Sequence, residues 1–88
     1  MSYSIEFTAR ALKELRKLDK PAALLITSWI RKNLLTCQDP KRFGKALKGD
    51  RNDQWRYRVG QYRILAQIDS GKILILILSI GHRKDVYR

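Results

Sequence analysis

WRYRVGQYRI, Trp55 to Ile64, sets apolar and cationic residues in alternation on either side of Gly60-Gln61. A Gly-X pair between two alternating runs favours a two-residue hairpin turn. Such a turn brings Val59 opposite Tyr62, Arg58 opposite Arg63 and Tyr57 opposite Ile64. Strand side chains alternate with period two, so Arg56, Arg58 and Arg63 share one face. Trp55, Tyr57, Val59, Tyr62 and Ile64 take the other, where helices can cover them.

Like charges directly opposite across strands are destabilising. Two guanidinium groups about 5 Å apart repel by roughly 3 kcal/mol at an effective dielectric near 20, and less in full solvent. A bound anion reverses that balance; the bland alternative is that the arginines fan out into water over a solvated face.

Working downstream, Ser70-Gly71 resembles a second two-residue turn, and the chain from Trp55 to Ile80 divides into three strands. The run Ile73 to Leu78, ILILIL, is apolar on both faces, as a strand in the interior of a sheet requires. On this register Leu74, Leu76 and Leu78 share a face with Arg58 and Arg63, an apolar patch of the kind that marks protein interfaces. The blander reading is that Lys41 to Asp53 or the C-terminal residues fold over it.

Upstream, Tyr3, Ile5 and Phe7 alternate with Ser4 and Glu6 in a half-buried strand. Thr8 can cap a helix whose Ala11, Leu12, Leu15 and Leu18 form one stripe, ending near Asp19. Pro21 suits the first turn of a second helix with Asp19 as cap. Its apolar face is Leu25, Ile26, Trp29, Ile30 and Leu34, and Thr36 to Pro40 ends it. Lys41 to Asp53 carries Gly44 and Gly49, and the spacing predicts a loop with one turn of helix around Lys45 to Lys48.

The expected architecture is α+β: an N-terminal strand and a helical hairpin packed on one face of a small, mainly antiparallel four-stranded sheet. Residues 1–88 make one domain, because a chain of 88 residues sustains a single core.

Nineteen Lys and Arg against eight Asp and Glu give a net charge of +11, a field that draws polyanions. From Lys41 onward there are twelve bases and four acids, or +8, against seven and four, or +3, before it. Cys37 is alone and has no neighbours at metal-ligand spacing, so neither an internal disulfide nor a metal or cofactor is expected. The N-terminus lacks a secretory pattern and Ile73 to Leu78 is too short to span a bilayer, so a cytoplasmic protein without membrane contact is expected.

Three blocks, TARALKELRKL, ALKGDRNDQWRYRVGQYRIL and ILSIGHRKDVYR, run nearly end to end. In them the chain resembles the RelE branch of the RelE/ParE superfamily, the small basic toxins of toxin–antitoxin pairs. The resemblance implies a ribosome-dependent endoribonuclease that cuts the A-site codon of mRNA without a metal, by attack of the ribose 2′-hydroxyl on the adjacent phosphate. It also implies an acidic, RelB-like antitoxin as partner, with promoter DNA bound only through the toxin–antitoxin complex.

Family positions carry over residue by residue. Arg56 and Arg58 match two basic positions on the second strand of the family, Arg63 its phosphate-binding arginine, and Arg83 and Tyr87 its last two active-site positions. Arg56, Arg63, Arg83 and Tyr87 are the expected catalytic set; Arg58, Lys45, Lys48 and Lys84 are expected to bind RNA.

The chemistry agrees. A 2′-hydroxyl attack needs an aligned nucleophile, a proton acceptor, charge stabilisation at phosphorus and a neutralised 5′-oxygen. Guanidinium groups donate paired hydrogen bonds to phosphate oxygens. The resemblance implies lysine at the position of Arg56 in the family's best-known member, and arginine, which stays protonated, is a poor base. Base duty then falls to Tyr87, ahead of His82. Arg63→Ala is expected to abolish cleavage at equal or higher stability, because cross-strand repulsion is relieved.

Two rivals remain: a ParE-like inhibitor of DNA gyrase, whose relatives generally lack the complete Arg56, Arg63, Arg83 and Tyr87 set, and a non-catalytic basic module. The second lacks the stacked aromatic platform usual in single-strand binders.

Overall fold

The computed structural model describes residues 3–35, 38–46 and 54–82. Strand β1 (Ser4–Phe7) leads into helix α1 (Ala9–Lys17) and helix α2 (Lys20–Asn33). A 3₁₀ turn (Pro40–Phe43) precedes β2 (Lys45–Ala46), and β3 (Gln54–Val59), β4 (Tyr62–Asp69) and β5 (Leu74–His82) follow. The architecture is α+β, with both helices packed against a five-stranded sheet of order β1-β5-β4-β3-β2. All pairings are antiparallel except that of β1 with β5.

The fifth strand corrects the expected four. Lys45 and Ala46 pair with Arg56 and Trp55, and the helical turn of this region lies earlier, at Pro40–Phe43. Lys48, at the end of the expected turn, lies outside the described residues.

Local sequence explains most of the elements. Thr8 Oγ1 accepts from Ala11 N at 3.1 Å and so satisfies one of the orphan donors at the start of α1. Asp19 stands at the N-cap of α2 but makes no side-chain capping bond; Pro21, whose missing N–H is harmless in the first turn, sets the start instead. Ala11, Ile26, Ile30 and Leu34 bury themselves against Tyr57, Ile64, Ala66, Ile75, Ile77 and Ile80 of the sheet. Two expected core leucines do not join them: Leu12 is 38% and Leu25 48% exposed.

The Gly60-Gln61 turn forms as the sequence predicts, with Gly60 at φ 61 and pairs Val59↔Tyr62, Arg58↔Arg63 and Tyr57↔Ile64. A positive φ at the first turn position alone is the type II′ pattern, which glycine adopts without steric cost.

The second turn differs. Asp69 pairs with Leu74, so the loop has four residues, and the left-handed conformation falls on Ile73 (φ 52) rather than on Gly71. Its first bend is closed by Lys72 N donating to Asp69 Oδ1 at 3.1 Å. Lengthening the loop by two preserves side-chain parity, so Leu74 and Leu76, partners of Asp69 and Gln67, do share the arginine face.

Leu78 does not continue that row. Leu65 pairs with Ser79 and Ala66 with Ile77, leaving Leu78 as the extra residue of a β-bulge. Beyond the bulge Gly81 lies opposite Arg63 and His82 opposite Tyr62.

Past Phe7, β1 no longer covers β5, and an uncovered ladder would leave backbone groups without partners. Helix α1 supplies them: Thr8 Oγ1 donates to Leu78 O at 2.9 Å, and Ile80 N donates to Glu14 Oε1 at 3.0 Å. Glu14→Ala should therefore destabilise the protein by about 1–2 kcal/mol, and Glu14→Gln by less because its amide oxygen can still accept. Thermal unfolding of both variants checks this; equal midpoints for the two would show that the Ile80 bond contributes nothing.

Candidate functional site

The antiparallel register collects the cations. On the face away from the helices, Lys45 and Arg56 are cross-strand partners in one row, and Arg58 and Arg63 in the next. Directly opposed pairs have Cβ atoms about 4.5–5.5 Å apart, within reach of a single phosphate for groups as long as arginine. The side chains of Arg42, Lys45, Arg56, Arg58 and Arg63, with Phe43 and Gly44, line a depression of about 320 Å³. That volume is at the low end of small-molecule pockets and suits one nucleotide. Its described lining holds no carboxylate.

Exposure differs across the cluster. Arg58 is exposed, Arg56 is half-buried and Arg63 is only 9% exposed. Arg63 belongs to β4, flanked by β3 and β5, whereas Arg58 stands on a strand nearer the sheet edge. A guanidinium at the floor and others at the rim are placed to grip one anion from two sides.

One wall of the depression is short and firmly attached. The Tyr57 hydroxyl donates to Pro40 O at 2.7 Å in a buried bond, and Trp55 Nε1 donates to Lys41 O at 3.2 Å. Lys41 Nζ also sits 5.7 Å from the Trp55 ring centroid, and Asp39 Oδ1 accepts from Lys41 N at 3.2 Å to cap the turn. At Gly44 a Cβ would come within 2.2 Å of Arg56 O and 2.8 Å of ring carbons of Trp55 and Tyr57. Only glycine allows so close a crossing; beyond it Lys45 pairs with Arg56, and before it Phe43, at the end of the 3₁₀ turn, joins the lining of the depression.

Of the residues singled out from sequence, Arg56, Arg58, Arg63 and Lys45 come together here. His82 does not. It faces the helix side of the sheet, edge-on to Tyr62 with ring centroids 5.8 Å apart, and its Nε2 lies 3.4 Å from Gln61 Oε1. Lys48, Arg83, Lys84 and Tyr87 lie outside the described residues. Two lining residues, Arg42 and Phe43, escaped the sequence reading. The one available signal was a single aromatic residue enclosed by bases, KRFGK, in a segment without periodicity.

The sequence and the fold have counterparts among known proteins. Residues 5–87 match the family described as ParE toxin of type II toxin-antitoxin system, parDE. Toxin RelG of Mycobacterium tuberculosis is 32% identical over 88 residues, spanning 100% of this chain and 99% of its own. Among solved structures, the toxin-antitoxin complex RelBE2 from the same organism contains a chain with TM-score 0.84 and 29% identity, covering 94% of this chain and 100% of that one. A free-state mutant of the E. coli toxin RelE has TM-score 0.79 and 25% identity, covering 98% of this chain and 88% of that one. With a matching fold, near-complete coverage and the family profile spanning almost the whole sequence, the chain belongs to the RelE/ParE superfamily as a RelE-type toxin of type II toxin–antitoxin systems.

Proposed function

We propose that this toxin is a metal-independent endoribonuclease that cuts mRNA in the ribosomal A site and so arrests translation. The observation that carries the reading is the Arg58↔Arg63 cross-strand pair, one row from Lys45↔Arg56, in a nucleotide-sized depression. Opposed cations at this separation are unfavourable alone and favourable around a phosphate.

In the reaction the 2′-oxygen bonds to the adjacent phosphorus and the bond to the 5′-oxygen breaks, giving a 2′,3′-cyclic phosphate and a 5′-hydroxyl end. Arg58 and Arg63 hold the phosphate oxygens and stabilise the charge that builds at phosphorus. Arg56 aligns the strand; Tyr87, acting as its phenolate, takes the 2′-hydroxyl proton, and Arg83 donates a hydrogen bond to the departing 5′-oxygen, which takes its proton from solvent water. Lys45, Lys48 and Lys84 add contacts to the RNA backbone. The position of His82 on the other face of the sheet favours Tyr87 as base. Tyr87→Phe should lower single-turnover cleavage about 10²–10⁴-fold, as the loss of a positioned base does; an unchanged rate would move base duty elsewhere.

Primer extension on an mRNA under translation, with and without the toxin, tests the whole reading. Codon-positioned stops support it. Intact mRNA together with trapped or relaxed gyrase products would instead support gyrase inhibition, the reading favoured by the ParE description of the matched family.

The partner in this reading is an acidic, RelB-type antitoxin, consistent with the RelB-RelE complexes known for similar chains. Half-buried Leu65, Leu74 and Leu76 lie on the arginine face, so an antitoxin segment can join apolar burial to charge neutralisation. Co-purification with an acidic protein encoded beside the toxin is the corresponding check, and promoter DNA should bind only to that complex.

A further inference from the structure

Phe43 is the exception in its surroundings: an apolar ring, 40% exposed, on the wall of a depression otherwise lined by Arg42, Lys45, Arg56, Arg58, Arg63 and Gly44. Nothing forces a phenylalanine there. The constraint at this wall is that residue 44 be glycine; residue 43, the last of the 3₁₀ turn, contributes to the lining of the depression whatever its side chain. A lysine or serine in its place would keep that surface wet and soluble.

A nucleotide carries a flat, weakly hydrated base one sugar away from its phosphate. Cations that take the phosphate therefore leave the base needing a surface beside them. Aromatic rings provide it in single-strand binders, where base-on-ring stacking tolerates any sequence and grows with the area of the base. The ring also lies on a wall that is held in place: the buried Tyr57–Pro40 bond and the Trp55–Lys41 bond fix the preceding turn, so little ordering is required when RNA arrives.

We propose that Phe43 is a base-stacking platform for the nucleotide whose phosphate the arginines bind, and that it biases this toxin toward a purine at that position. The proposal rests on the nuclease reading for the identity of the strand, but the stacking contact is testable by binding alone.

The test uses the full-length toxin and its Phe43→Ala, Phe43→Leu and Phe43→Trp variants. Phe43 is exposed, so all four should fold alike, with superimposable circular dichroism. The first measurement is binding of a fluorescent hexa-adenylate and of an abasic hexanucleotide with the same sugar–phosphate backbone, at low salt. Wild type and Phe43→Trp should bind the adenylate about tenfold more tightly than Phe43→Ala and Phe43→Leu, within the range that stacking of one base supplies. All four should bind the abasic strand equally. The second measurement is single-turnover cleavage on programmed ribosomes, with purine or pyrimidine at each codon position. Phe43→Ala should raise the half-saturating toxin concentration more than it lowers the saturating rate, and should flatten the purine preference.

Leucine rescuing as well as tryptophan would overturn the proposal, since that reports apolar cover rather than stacking. Equal binding of adenylate and abasic strands by wild type would overturn it as well. Phe43-dependent adenylate binding without any cleavage would leave the platform standing and remove the nuclease reading.

Discussion

Arg63→Met should reduce cleavage of ribosome-bound mRNA by about 10²–10³-fold or more, the range seen when one preorganised donor to a developing negative charge is removed. Stability should respond much less. Arg63 is nine-tenths buried on the central part of the sheet, so its alkyl stem packs while its head completes the cationic cluster. Methionine keeps the stem and removes the charge facing Arg58 across the hairpin. Relief of that repulsion offsets the contacts the head gives up, and the midpoint of thermal unfolding should stay within a few degrees of wild type. Truncation to alanine would not show this cleanly, because at such burial the lost stem leaves a void with its own cost. The simple expectation from sequence, equal or higher stability for Arg63→Ala, overlooked that burial. Single-turnover kinetics and calorimetry on the same preparation make the comparison; a fall of more than about 10 °C with methionine would identify Arg63 as a structural residue first.

Gly44→Ala is the opposite case, in which function fails because structure does. The added methyl would start 2.2 Å from Arg56 O, a backbone atom that cannot step aside without breaking the β2–β3 pairing. Overpacking of this sort costs about 1–3 kcal/mol, which for a domain of this size lowers the unfolding midpoint by roughly 5–20 °C. The wall carrying Arg42, Phe43 and Lys45 should lift off β3, opening the depression and weakening RNA binding even at temperatures where the variant is folded. Differential scanning calorimetry and the oligonucleotide titration read the two effects separately. Retention of both the midpoint and the affinity would mean that the loop accommodates a side chain by moving as a unit.

How far the sequence discloses these features depends on whether a competing arrangement would be penalised. The Gly60-Gln61 hairpin is legible because a one-residue slip would bury Arg58 and expose Tyr57, so the alternation admits one register. Strand β2 is not. Lys45 and Ala46 have no strand preference, and the wall before them is held by Tyr57 and Trp55 bonding to main-chain oxygens of Pro40 and Lys41, which every residue offers. The same limit hid Arg42 and Phe43. In β5 the ILILIL run is apolar on both faces, so a bulge at Leu78 violates no pattern that could be read beforehand. The second turn misled for a related reason: glycine marked the expected bend, but the left-handed residue is Ile73.

The bulge at Leu78 also changes what an alteration in chain length would do. Removing a residue from a regular strand inverts every side chain beyond the deletion, which in this sheet would exchange the inward and outward sets of its last strand. Here the skipped position already absorbs that inversion: without Leu78, Ile77 and Ser79 would become neighbours while still meeting Ala66 and Leu65. The chain can therefore shorten by a residue at this point beside its cationic face, giving up the half-buried Leu78 and its bond to Thr8 Oγ1, and still deliver the same residues to the same side.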